Sequence, residues 1–160
     1  MENTLAPLHA VLRLNTRLFE NCLSGVDDDL LARRTEGGAN SMGFIALHVA
    51  DARYHLLSLL GGLLENPFGR FASARCEADI ERLPGRDELC AAWRVVSAVI
   101  EEQWEHLTEA EWSRPSGQRL PLDDVTRAGA AAFFLQHESY HIGQMALLRR
   151  QAGLEAMRYD

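Results

Sequence analysis

The chain has 160 residues and a formal net charge of -7, and 47% of its residues are hydrophobic. This balance is typical of a globular protein and argues against a disordered, collagen-like or disulfide-stapled chain. The excess of acidic residues argues against a nucleic-acid partner, and the lack of any lysine excludes enzymes that need a Schiff-base or P-loop lysine.

The first helix is expected over residues 3–24, because its apolar residues recur three and four positions apart. The remaining predicted elements follow in chain order: a helical turn at 27–34, a second long helix capped by Asn40 or Ser41 and reaching about Leu60, a crossover over 61–86 with a short helix at 78–83, a third helix from about Asp87, and a fourth from 122–123 to Gly153. Four long amphipathic helices predict an all-α four-helix bundle of the up-down type with a long crossover, in a single domain over residues 1–160.

We expect neither a targeting segment nor a membrane-spanning segment. Residues 1–5 carry no positive charge, and no stretch approaches the roughly 20 apolar residues that span a bilayer. The three cysteines, Cys22, Cys76 and Cys90, form no CxxC pair, which suits a reducing compartment. We therefore expect a cytoplasmic protein with no membrane partner, in which Cys76, in a polar loop, is the candidate reactive thiol.

Three histidines occupy positions where the apolar seams of the helices otherwise hold Ile, Phe and Leu. His137 and His141 lie four residues apart, so one helix face can direct both rings at one ion. A third ring from the second helix would complete a site with one open position. His48 and His55 both lie on that seam but about 10.5 Å apart along the axis, so they cannot both bind this ion.

The run from His137 to His141 also matches HExxH, a pattern in which Glu138 would act as the general base of a zinc peptidase. A peptidase is disfavoured, because no histidine follows His141 and the only later carboxylates are Glu155 and Asp160.

The same region resembles the DinB/YfiT-like superfamily. Residues 137–145, HESYHIGQM, followed by LRRQAG at 148–153, resemble its HxxxHxGQ and LRxxG signature, and SMGFIALHVAD at 41–51 resembles its second-helix motif, which ends in a ligand histidine. The resemblance implies a four-helix bundle that holds a divalent ion with His48, His137 and His141. Three ring ligands with an open position favour zinc or nickel as that ion. The resemblance therefore favours His48 over His55. It also implies a small-molecule substrate, possible homodimers, and a thiol S-transferase or hydrolase activity, with a low-molecular-weight thiol as a candidate co-substrate.

Further side chains are candidates for supporting roles at such a site. Gln144 faces the histidine seam and could bond a bound ligand, while Glu138 is a candidate base or a member of an interhelical ion pair. Asp51 lies one turn beyond the second-helix ligand, and Tyr140 and Tyr54 are candidate pocket residues. An open three-histidine ion could lower the pKa of a bound water or hold a substrate thiolate. The competing interpretation is a metal-binding or stress-linked bundle without catalysis.

Overall fold

The computed structural model describes residues 5–34, 40–71, 74 and 76–159, and within these ranges the protein is helical. The α-helices are α1 (Ala6–Leu23), α2 (Asp28–Ala32), α3 (Met42–Leu59), α4 (Arg86–His106), α5 (Glu109–Trp112) and α6 (Arg127–Gln151). Two 3-10 segments lie at Gly69–Phe71 and Glu77–Asp79, and the described residues contain no β-strand, only an isolated bridge between Pro115 and Thr126. The all-α prediction is confirmed. Residues 3–4 of the predicted first helix lie outside the described residues.

Two predicted elements differ from the observed ones. Helix α6 begins at Arg127, not at 122–123, because the Thr126 hydroxyl accepts from Gly129 N–H and the Asp124 carboxylate accepts from Thr126 N–H. The acidic residues therefore belong to the turn before the helix. The short helix predicted at 78–83 is only the 3-10 turn Glu77–Asp79, and Leu83 precedes Pro84, where helical backbone is disfavoured.

Side-chain contacts define the direction of the four long helices. Helix α1 runs parallel to α6, and α3 runs parallel to α4. Helices α1 and α4 are antiparallel, and so are α3 and α6. The order is thus up, down, down, up. Because α3 and α4 run in the same direction, residues 60–85 must carry the chain back along the bundle, which is the predicted long crossover.

The buried apolar side chains form one cluster to which every α-helix contributes. Trp93, Trp104 and Trp112 are buried in it, as expected for aromatic residues on helix seams. The backbone after α6 returns to α1, where Asn21 Nδ2 donates to the carbonyl of Arg158 at 2.7 Å. Among the described helices, none combines the length and apolarity needed to cross a bilayer. The assignment of residues 1–160 to a single domain stays a prediction.

Candidate metal centre

Three imidazole rings from two facing helices, α3 and α6, converge on one another. The Nε2 atom of His137 lies 3.0 Å from Nε2 of His48 and 3.1 Å from Nε2 of His141. Nitrogen ligands about 2.0–2.1 Å from a shared ion, at angles of roughly 90–109°, lie about 2.8–3.4 Å apart. The observed separations fit one divalent ion, and these three are the described residues that could hold one together.

The convergence follows from helix geometry. His137 and His141 are one turn apart on α6, and their ring centroids lie 4.4 Å apart. His48 lies on α3, which runs antiparallel to α6. Farther along the same interface the ring of His55 packs edge-on against Phe134, at 5.5 Å between centroids. His55 is therefore in the interface but outside the cluster, as the choice of His48 predicts.

Gln144 determines the tautomer of His141. Its side-chain oxygen lies 2.6 Å from Nδ1 of His141. Because an amide oxygen only accepts, Nδ1 carries the proton and Nε2 keeps its lone pair directed at the cluster. The Gln144 amide nitrogen in turn donates to the hydroxyl of Tyr140 at 3.4 Å.

Burial favours the neutral form of two of the three rings. The pKa of His137 is lowered to about 4, mainly by burial and in addition by the nearby rings of His141 and His48. The pKa of His48 is also lowered, mainly by burial and then by His141, while Asp51 acts in the opposite direction. At neutral pH both rings are therefore in the neutral form, which is the form that binds metals.

The second ring nitrogen of His137 is distinctive. Nδ1 is buried and has no hydrogen-bond partner among the described residues. The rings of Phe133 and Phe134 lie nearby, with centroids 6.1 and 6.3 Å from that of His137. The orientation of His137 therefore depends on packing and on the position of α6, in contrast to that of His141.

A cavity of about 850 Å³ opens beside the cluster. His48, His141 and Gln144 line it at the cluster, and apolar side chains of α3 and α6, among them Phe44 and Leu148, form its walls. Tyr140, 59% exposed, also lines it. This volume lies within the range of small-molecule sites, which are concave, mainly apolar and equipped with a few placed polar groups.

Comparison with sequence profiles of known families finds a match over most of the chain. The sequence profile of the DinB superfamily matches residues 12–145, which include all three histidines. The chain belongs to the DinB superfamily. A crystal structure of a DinB-like protein from Bacillus cereus ATCC 10987 shares the fold, with a TM-score of 0.75 and 20% identity, over 98% of this chain and 97% of that one. No protein of curated function matches the sequence.

The other predicted site residues of this DinB superfamily member lie in three different settings. Asp51 is half-buried and accepts a hydrogen bond from Asn66 Nδ2 at 2.6 Å, so it influences His48 through its charge. Tyr54 does not line the cavity: it is buried between α3 and α4, its hydroxyl donates to the Ala92 carbonyl, and burial raises its pKa. Tyr54 was predicted as a pocket residue, but it lies on the face of α3 that packs against α4 in the core.

Glu138 lies in the core and not at the metal cluster. Its side chain is fully buried and both carboxylate oxygens accept from the guanidinium of Arg53, at 2.8 and 2.6 Å. Of its two predicted roles, the structure shows the interhelical ion pair. Its partner Arg53 was missed as a functional candidate, although an arginine among the apolar residues of α3 signals a buried charge that needs a partner.

Proposed function

We propose that this DinB superfamily member is a metal-dependent enzyme that acts on a small molecule, by thiol S-transfer or by hydrolysis. His48, His137 and His141 would hold the ion, with zinc or nickel as the natural choices for imidazole ligands. The observation that carries the proposal is the approach of three ring nitrogens to 3.0 and 3.1 Å, beside a cavity large enough for a substrate.

Each side chain of the site has a definable task. A divalent ion supplies Lewis acidity, which can activate a water or stabilise a thiolate as the nucleophile. Gln144 holds the proton of His141 on Nδ1, and this keeps the opposite nitrogen free as a ligand. The apolar walls formed by residues such as Phe44 and Leu148 bind the substrate body and exclude water from it.

The ion pair of Glu138 argues against a peptidase of the HExxH type. In that mechanism the glutamate must accept a proton from water next to the ion. Here both oxygens of Glu138 are bound by Arg53 in the core, at 0% exposure of either side chain. A carboxylate held in this way is not free to act as the base.

The test is a turnover assay on protein purified without a nickel column. Zinc- and nickel-loaded protein is incubated with a low-molecular-weight thiol and a panel of electrophiles, and separately with a panel of esters and amides. We expect turnover that requires the metal and disappears in His48→Ala but not in His55→Ala. Stoichiometric metal with no turnover on either panel would favour the non-catalytic metal-binding protein.

The proposal includes a cytoplasmic location and a homodimer. Light scattering of the purified protein and cell fractionation test these two statements.

A further inference from the structure

A buried polar cluster connects all four long helices next to the metal centre. It consists of Asn15 and Thr16 on α1, Arg53 on α3, Ser97 on α4 and Glu138 on α6. Its centre is the ion pair, in which Arg53 Nε and Nη2 donate to the two oxygens of Glu138 at 2.8 and 2.6 Å. Such a forked pair fixes direction as well as distance.

The remaining groups of the ion pair are bonded to the other two helices. Arg53 Nη1 donates to the hydroxyls of Thr16 at 2.7 Å and Ser97 at 2.8 Å, and its guanidinium lies 3.6 Å from the ring centre of Trp93. On the opposite side, Asn15 Nδ2 donates to Glu138 Oε2 and to the backbone carbonyl of Leu135, at 3.3 and 3.1 Å. Every nitrogen of the Arg53 guanidinium and both oxygens of Glu138 are therefore hydrogen-bonded.

Stability alone is a weak explanation for this cluster. The desolvation of two charges offsets much of their attraction, and well-packed apolar residues in place of a buried ion pair often give an equally stable or more stable protein. The best-attested use of a buried polar contact is to fix the register of helices.

We propose that the Arg53–Glu138 ion pair is a positioning element of the metal centre, because it fixes the register of α3 against α6. This inference rests on the proposed metal site. Arg53 follows His48 on α3 by five residues, and Glu138 directly follows His137 on α6. The ion pair and the ring contacts thus share one helix interface, and the register that aligns the first also aligns the second.

The distances show why the register matters. A slide of one residue moves α6 by about 1.5 Å along its axis, whereas a functional constellation must be held within roughly 0.5 Å. His141 has Gln144 to orient it, but Nδ1 of His137 has no partner in the described part of the chain. The residue next to His137 is the one fixed by Arg53, so the ion pair provides the anchoring that the ring itself does not have.

The experiment compares metal affinity with stability in full-length variants. The double variant Arg53→Met with Glu138→Leu removes the ion pair without leaving a buried charge. Arg53→Lys keeps a positive charge but loses the fork. The control is Glu20→Leu with Arg94→Met, an exposed forked pair between α1 and α4. Cobalt(II) titration, followed by visible absorption, gives the affinity, and urea unfolding of the metal-free protein gives the stability.

A positioning role predicts that the two measurements separate. In the double variant we expect an unfolding midpoint equal to or above that of the wild type, with cobalt affinity weakened about tenfold or more. Arg53→Lys should also weaken cobalt binding, and the exposed-pair control should change neither quantity. A purely structural ion pair would shift stability and leave the affinity of the folded protein unchanged.

Unchanged cobalt affinity in both folded core variants would overturn the positioning role while leaving the proposed metal site intact. Failure of both core variants to fold would also overturn it, because the cluster would then be required for stability itself. A wild-type protein that binds no cobalt would instead overturn the proposed function, and the positioning role with it.

Discussion

Replacement of His48 by alanine should abolish tight metal binding and leave the metal-free bundle intact. His48 lines the open cavity and is not part of the apolar core, so its loss leaves no void in that core, and alanine is favourable in a helix. We expect the metal-free stability to change by no more than about 0.5 kcal/mol, as for surface substitutions in general. The effect of the substitution should therefore appear only when metal is added.

The size of that effect follows from mass action. Zinc at about 100 times its dissociation constant stabilises the wild type by about 2.7 kcal/mol. For a chain of this size that corresponds to a rise in Tm of roughly 5 to 11 °C. If loss of one ligand weakens binding about 100-fold, the same zinc concentration adds only about 0.4 kcal/mol to the variant, or roughly 1 to 2 °C.

Thermal unfolding with and without zinc, together with metal analysis of the purified proteins, measures both quantities. His55→Ala is the matched control, since its ring packs on Phe134 in the same interface. It should keep the full zinc-dependent rise. Stoichiometric metal and an undiminished rise in His48→Ala would refute the argument and place the third ligand elsewhere.

Three further substitutions and one chemical modification test other features of the molecule. Gln144→Leu should weaken zinc binding about 10- to 100-fold in a calorimetric titration, because the histidine that it orients loses its acceptor; unchanged affinity would contradict that role. Gly129→Ala should destabilise the protein by about 1–3 kcal/mol in urea, since a Cβ there would lie 2.2 Å from a backbone carbonyl oxygen. At Gly143 a Cβ would meet no atom within 4 Å, so Gly143→Ala should instead stabilise the protein by up to about 1 kcal/mol. Equal effects at the two glycines would show that the packing argument is wrong. At pH 8 iodoacetamide should modify the exposed Cys76 well before Cys22, because burial raises the pKa of the Cys22 thiol to about 11. Mass spectrometry shows the order in which the two thiols are modified.

The sequence predicts the part of the fold that depends on local periodicity. Apolar residues three and four apart indicate the long helices, and the hydroxyl of Ser41 indeed caps α3 by accepting from Phe44 N–H. The start of α6 was predicted too early, because acidic residues at 123–124 favour a helix end but serve equally well in a turn. The choice depends on Thr126 and on the bridge to Pro115, a contact that no local pattern reveals.

One part of the candidate site can be predicted from local sequence spacing, and another part depends on residues far apart in the chain. The spacing of His137 and His141 is readable from the sequence, and His48 follows once two helices are assumed to face each other. The pairing of Arg53 with Glu138, 85 positions apart, is not readable from one sequence. A glutamate inside an HExxH run suggests catalysis, and only the packing of α3 on α6 shows that its carboxylate points into the core.

Two of the three histidines lie on α6 and one lies on α3, and this arrangement links metal binding to the order in which the chain folds. The pair on α6 needs only one formed turn, so a partly folded chain can already hold an ion loosely. The complete set requires α3 to dock against α6, which brings together rings 89 positions apart. Affinity therefore increases as tertiary structure forms, and an ion that prefers the complete set draws the chain toward its native state.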